Sequence, residues 1–98
     1  MYLSKTEFQL LALVVSQERS GREVAKLFQE EVGKNISYGT LYTTFRRLKE
    51  KGYVKCRDAQ DEDGRVRYFR VTGNGVEALE EIRNHYLKLA AFQIPKFA

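Results

Sequence analysis

The stretch of sequence that decides the fold runs from Ser37 to Gly52 and reads SYGTLYTTFRRLKEKG. Its apolar residues Leu41, Phe45 and Leu48 recur at steps of four and three, which is the spacing of one face of an α-helix. Ser37 is a suitable N-cap, and Gly52 follows the last apolar residue as expected just past a helix C-terminus. We therefore predict a helix over this stretch, with these three apolar residues on its buried face.

The opposite face of this predicted helix has the chemistry of a nucleic-acid contact. At about 100° per residue, it consists of Gly39, Thr40, Thr43, Arg46, Arg47 and Glu50. Small residues near a helix N-terminus let its free amides approach phosphate oxygens, and arginines further along reach bases or backbone. A solvated surface helix would show a similar face, because exposed helices need a polar side.

The distribution of charge favours the nucleic-acid interpretation. The 98 residues carry a net charge of +4, and the window 46–57 alone holds six basic residues and one acid. A local excess of positive charge attracts a polyanionic partner. The length and the 43% hydrophobic content fit one small folded domain.

Two capping boxes of the form Ser-x-x-Glu begin earlier helices. The first box, Ser4–Glu7, opens a helix predicted to about Gln17, and the second, Ser20–Glu23, opens a helix that ends at Gly33. The first helix is apolar around much of its circumference. This pattern predicts burial both in the core and under a partner chain.

Two β-rich runs after the third helix predict a hairpin. They span Tyr53–Arg57 and Val66–Val71, and the polar residues 58–65 between them are typical of a long tip. Val54 and Cys56 are expected to face the core. The alternation of the second strand is ambiguous, so its buried face stays unassigned.

The hairpin carries both signs of charge. Arg65 and Arg67 are candidate DNA contacts, whereas phosphate would repel the four acids of the tip. These acids are Asp58, Asp61, Glu62 and Asp63. They form either a solvated loop or a device that lowers non-specific affinity.

Thr72 is predicted to cap a last helix over Gly75–Phe92. Its heptad-spaced apolar residues are Leu79, Ile82, Tyr86 and Leu89. This spacing is typical of a helix that packs on a partner chain. We expect these residues to form a homodimer interface together with Leu10 and Leu13 of the first helix.

The order helix, helix, helix, hairpin, helix, with positive charge on the third helix and the hairpin, is that of a winged helix-turn-helix. The predicted fold is thus mainly α with a small β-hairpin, in one compact domain. Residues 1–74 would form the DNA-binding part, and residues 75–98 the C-terminal dimerisation helix and tail.

Other chemistries have no pattern to support them. His85 has no Cys, Asp or Glu at zinc-ligand spacing, and no catalytic triad or Gly-rich phosphate loop is present. We expect no metal, no cofactor and no enzymatic activity.

The single Cys56 fits a reducing compartment, as a buried thiol or a redox sensor. The longest apolar run, Leu10–Val15, is too short to span a membrane.

The string SYGTLY at residues 37–42 is followed by Arg47-Leu48 and by KGYV at residues 51–54. In these motifs the sequence resembles the PadR family of bacterial transcriptional regulators. Further matches lie at residues 20–25, at residues 63–72, at Gly75 and at Ala78-Leu79. The sequence departs from the family at Thr43, where members commonly carry proline. Its short C-terminal part resembles the subfamily with a single C-terminal helix.

The resemblance implies a homodimer that forms through the first and last helices and binds an inverted-repeat operator in double-stranded DNA. It also implies repression of transcription until an effector binds. It does not identify that small molecule, since the chain has no tryptophan and no visible ligand motif.

We therefore expect a cytoplasmic, sequence-specific transcriptional regulator. The expected DNA-binding residues are Ser37, Tyr38, Thr40, Thr43, Arg46, Arg47, Arg65 and Arg67. Tyr38 and Tyr42 flank the buried stripe, where a tyrosine either packs at the boundary of the core or donates its phenol to phosphate. The alternative function is a winged-helix interaction module that uses the same basic face to bind an acidic protein.

Overall fold

A computed structural model describes residues 3–93 of the chain. Four helices and a small three-stranded antiparallel sheet make up this part. The elements are α1 (Lys5–Leu13), β1 (Arg19–Ser20), α2 (Gly21–Val32), α3 (Tyr38–Glu50), β2 (Val54–Asp61), β3 (Gly64–Val71) and α4 (Gly73–Gln93). This is the winged-helix architecture, so the predicted fold class is confirmed.

The core lies where α1, α2 and the sheet meet the buried face of α3. Leu41, Phe45 and Leu48 are fully buried, as the spacing predicted. The ring of Phe45 stacks on that of Phe69 from β3, with centroids 4.0 Å apart and planes 9° from parallel. Thr44 shares the buried face, and its hydroxyl donates to the Thr40 carbonyl at 2.7 Å, so its polar atom is satisfied.

The first helix is shorter than predicted. Its capping box is present, but α1 ends at Leu13, so the prediction that it continues to Gln17 is wrong. Val14 has a non-helical ψ of 9° and is nevertheless buried, which explains why the apolar pattern outlasts the helix. The guanidinium Nε of Arg19 donates to the Leu13 carbonyl at 2.8 Å and so satisfies an acceptor at the helix end.

The sheet is larger than the predicted hairpin. The strand order is β1-β3-β2, and β1 pairs with β3 through Arg19 opposite Phe69. The long polar tip predicted for residues 58–65 is wrong, because the ladder of β2 and β3 continues to Asp61 opposite Gly64 and leaves only residues 62–63 as the turn. The prediction failed because the outer half of the hairpin buries no apolar face. The sequence of residues 58–65 shows no alternation of apolar and polar residues from which strands could be predicted.

The register of the hairpin also assigns the buried face of β3. Cys56 lies opposite Phe69 and Val54 lies opposite Val71, and opposed side chains of an antiparallel pair share a face. Val54 and Phe69 are buried, and Cys56 and Val71 pack against them at the edge of the core. The expectation that Val54 and Cys56 face inward is confirmed.

Helix α4 begins close against the sheet and then leaves it. The Thr72 hydroxyl accepts a hydrogen bond from the Gly75 amide at 3.1 Å, so Thr72 does cap this helix. A Cβ at Gly75 would collide with the Tyr53 carbonyl and with Val71, so only glycine permits this close approach. Within residues 3–93, no helix is long and apolar enough to cross a membrane.

Candidate nucleic-acid interface

Two hydroxyl groups, from Ser37 and Thr40, lie together at the N-terminus of α3. The Ser37 Oγ accepts a hydrogen bond from the Thr40 amide at 3.1 Å and donates to the Thr40 Oγ1 at 3.0 Å. Gly39 leaves the surface beside them open, since a Cβ there would meet nothing nearer than the Ser37 Oγ at 3.9 Å. The first amides of a helix have no partner within it, so an anion can approach this end closely.

The outward face of α3 carries the predicted residues. Thr40, Arg46 and Arg47 are exposed, and Thr43 is half-buried at the edge nearest the sheet. The angular assignment made from the sequence therefore agrees with the structure. These side chains form one continuous strip along the helix.

Tyr42 and Tyr38 differ in position, and for both the sequence left open whether the ring packs at the core boundary or contacts phosphate. Tyr42 lies 5.9 Å from Phe69 between ring centroids, and its hydroxyl is close enough to α2 that a Cβ at Gly21 would lie 2.6 Å away. Tyr42 therefore packs at the boundary of the core. Tyr38 stacks on Tyr42 at 6.2 Å and remains 52% exposed, so its phenol is free to meet an external partner.

An open cleft of about 480 Å³ lies between α3 and the sheet, and we call it the α3–sheet cleft. It contains cations from both walls and one acid. These residues are Arg46 and Lys49 from α3, and Arg57, Arg67 and Asp58 from the hairpin. Sequence reasoning did not select Lys49 as a site residue, although its three-residue step from Arg46 on a helix was a usable signal.

Among residues 3–93, three ion pairs neutralise part of the positive charge. Lys51 pairs with Glu7 at 2.8 Å, and Arg57 pairs with Glu18 at 2.6 Å while its guanidinium lies 4.6 Å from the Tyr68 ring centroid. Two of the six basic residues in the window 46–57 thus have acidic partners. These acids lie 44 and 39 residues away in the sequence, so no local pattern pointed to them.

The third pair crosses the hairpin. Asp58 lies directly opposite Arg67, whose Nε donates to the Asp58 Oδ1 at 2.9 Å. The hydrogen bond from Arg67, together with the charges of Arg65 and Lys49, holds the pKa of Asp58 below its ordinary value. Asp58 belongs to a strand and not to a solvated loop, which corrects the prediction. Arg65 is exposed two residues further out.

The thiol of Cys56 lies at the inner end of the cleft. Burial raises its pKa above the ordinary value, although the charges of Lys49 and Arg67 oppose that shift. The protonated thiol is therefore the form present at neutral pH, and the reactive thiolate is not. This favours the interpretation of Cys56 as a small packing residue.

The single histidine of the sequence is His85. His85 is exposed on α4, with its ring 5.9 Å from that of Tyr86. In the part of the chain that the structure describes, no three His, Cys, Asp or Glu side chains are grouped to hold a metal ion.

The residues expected at a dimer interface fall into three groups by burial. Leu10 is fully buried in the core of its own chain, so it has no surface to offer a partner, which corrects its assignment. Leu79 packs against the core, and Leu13 and Ile82 are half-buried. The outer residues of the seam are exposed, with Tyr86 at 62% and Leu89 at 37%. A groove of about 750 Å³ runs between α1 and α4 beside Phe8 and Ile82.

The sequence model of the PadR-like family of transcriptional regulators matches residues 10–81. No curated protein sequence matches the chain. Among solved structures, a PadR family transcription regulator from hypervirulent Clostridium difficile is 21% identical with a TM-score of 0.79, over 91% of this chain and 94% of that one.

Two further solved structures share the fold. A PadR-like transcription factor from Bacteroides fragilis is 20% identical with a TM-score of 0.81, over 89% of this chain and 84% of its own. Bacillus subtilis PadR, solved in complex with operator DNA, is 18% identical with a TM-score of 0.72, over 99% of this chain and 51% of its own.

Proposed function

Because the chain belongs to the PadR-like family of transcriptional regulators, we propose that it binds double-stranded DNA sequence-specifically through α3. The observation that carries this proposal is the exposed strip on α3, where the Ser37 and Thr40 hydroxyls at the helix start lead to Arg46 and Arg47. A helix of these dimensions fits the major groove, where arginine recognises guanine by two hydrogen bonds.

The proposed contacts divide by role. Ser37, Tyr38, Thr40 and Thr43 lie toward the start of α3 and would position it on phosphates or meet bases at the groove edge. Arg46 and Arg47 would read base edges. Arg65 and Arg67, on the hairpin, would follow the DNA backbone, as strands beside a recognition helix commonly do.

We further propose that the protein acts as a homodimer on an inverted-repeat operator. The exposed Tyr86 and Leu89 on α4 support this, because a heptad seam without a partner leaves apolar surface in water. A symmetric dimer would present two copies of α3 to a symmetric DNA site. Repression that ends when a small molecule binds is the mode of action that the family resemblance suggests.

The shared fold of Bacillus subtilis PadR, whose structure contains operator DNA, supports a DNA ligand over an acidic protein. In the alternative function, the same basic strip would bind an acidic protein. A protein partner would need no discrimination between base sequences. Sequence discrimination is therefore the property that separates the two functions.

The test begins with a duplex selected by the full chain from a pool of random sequences. Fluorescence anisotropy then compares this duplex with a scrambled one for the wild type, for Arg47→Ala and for Lys88→Ala, which removes the same charge from the exposed side of α4. We expect Arg47→Ala to lose about 1–3 kcal/mol on the selected duplex.

On the scrambled duplex, Arg47→Ala should lose less affinity, and Lys88→Ala should bind both duplexes like the wild type. If selection enriches no sequence, or if Arg47→Ala binds both duplexes as the wild type does, α3 does not read DNA. The acidic-protein interpretation would then replace this proposal.

A further inference from the structure

One carboxylate lies where DNA phosphate is expected. Among the described residues that line the α3–sheet cleft, Asp58 is the one acid, beside four cations. Asp58 shares a face of the sheet with Val54 and Cys56, so the strand directs its side chain toward α3 and not toward the outer surface. A carboxylate here opposes the binding of any anion in the cleft.

The partner of Asp58 is a residue that the proposed function assigns to the DNA backbone. The Arg67 Nε donates to the Asp58 Oδ1 at 2.9 Å, and both side chains are about half exposed. The pair is therefore accessible from the cleft. Arg57, the other hairpin cation that lines the cleft, has its side chain on the opposite face of β2, where it pairs with Glu18. Arg67 is thus the hairpin cation that is paired within the cleft itself.

A guanidinium binds carboxylate and phosphate with the same donors. A phosphate that enters the cleft would meet Arg46 and Lys49 from α3 and Arg67 from the hairpin. To reach the Nε of Arg67, it would have to displace the Asp58 carboxylate. Because Asp58 keeps its negative charge at neutral pH, it also repels the phosphate directly.

We propose that the α3–sheet cleft receives a backbone phosphate of bound DNA, and that Asp58 competes with this phosphate for Arg67. This inference rests on the proposed function, since it needs DNA on the face of α3. The competition is independent of base sequence because every nucleotide carries the same phosphate. Asp58 therefore lowers affinity for all duplexes, which limits binding to the many non-operator sites without changing base contacts.

The experiment measures binding of the full chain to a random-sequence duplex over a series of KCl concentrations. Asp58→Asn keeps the shape of the side chain and removes its charge. We expect it to tighten binding about two- to fivefold. The slope of log affinity against log salt should steepen by about 1, because one more DNA phosphate is neutralised by net protein charge.

Asp63→Asn is the matched control. It makes the same chemical change in the turn of the same hairpin, outside the residues of the cleft. Its effect on affinity should be clearly smaller than that of Asp58→Asn. A second arm repeats Asp58→Asn in an Arg67→Gln background, where there is no guanidinium to compete for and the gain should shrink.

The inference is overturned if Asp58→Asn binds the random duplex no more tightly than Asp63→Asn does, or if its gain is undiminished without Arg67. Both outcomes leave the selection of a specific duplex by the wild type intact. A wild type that binds neither random nor selected DNA overturns the proposed function and this inference together.

Discussion

Glu7 carries a charge that the fold buries, and this charge ties two helices together. Its Oε1 accepts a hydrogen bond from the Ser4 amide at 2.8 Å and closes the capping box of α1. The Lys51 ammonium, at the end of α3, donates to both carboxylate oxygens at 2.8 and 2.9 Å. Burial alone would raise the pKa of Glu7, but these hydrogen bonds outweigh it and lower the pKa below the ordinary 4.5.

Glu7→Gln should lower the free energy of unfolding by about 1–3 kcal/mol at neutral pH, because the half-buried Lys51 ammonium loses its charged partner. A carboxylate whose folded pKa is depressed stabilises the fold above its unfolded pKa, and this stability is lost as the pH falls through the folded value. The deficit of Glu7→Gln should therefore shrink below about pH 4.5. Urea unfolding at a series of pH values measures it.

Glu18→Gln provides the comparison, since it removes an ion pair whose arginine, Arg57, is more than half exposed. We expect only a small change in stability for this variant, because solvent screens exposed pairs. A Glu7→Gln deficit that stays constant from neutral to acidic pH would show that the ionised carboxylate contributes nothing.

Contacts close in sequence could be predicted, and contacts distant in sequence could not. Both Ser-x-x-Glu boxes and the Ser37 cap hold because each depends on residues three positions apart. Lys51 pairs with Glu7 because α1 packs on α3. The basic window 46–57 therefore overstated the charge available to a ligand.

Helix α3 was predictable because thirteen residues repeat one periodic pattern, and a long pattern averages out local exceptions. The two-residue strand β1 offers no pattern at all. The prediction for the outer half of the hairpin was wrong for another reason. Its register is supported by cross-strand charge between Asp58 and Arg67, which hydrophobic alternation does not report.

Helix α4 yields a prediction about assembly. Leu89 lies on the heptad seam, whereas Leu87 lies on the same exposed part of the helix but off the seam. Leu89→Asp should shift the chain from dimer toward monomer, because a charge without a partner would be buried in the interface. Leu87→Asp introduces the same charge and should leave the dimer intact.

Sedimentation velocity at micromolar concentration measures both variants beside the wild type, with circular dichroism to confirm that each one folds. A wild type that sediments as a monomer would rule out the homodimer. Equal effects of the two substitutions would show that the heptad seam is not the contact.

The proposed dimer and the exposed strip on α3 together determine the orientation and spacing of the half-sites that the DNA must have. Two copies of α3 related by a two-fold axis meet equivalent half-sites in opposite orientation. For both helices to enter the major groove from one side of the duplex, the half-site centres must lie roughly 10 base pairs apart, or a multiple of that. Neither a monomer nor a protein-binding module makes this demand.

Hydroxyl-radical footprinting of the full chain on the selected duplex tests the central claim most directly. We predict two protected segments on one face of the helix, related by inverted sequence symmetry, with centres separated by roughly 10 base pairs or a multiple. A single unrepeated footprint, or two segments on opposite faces of the duplex, would contradict the account.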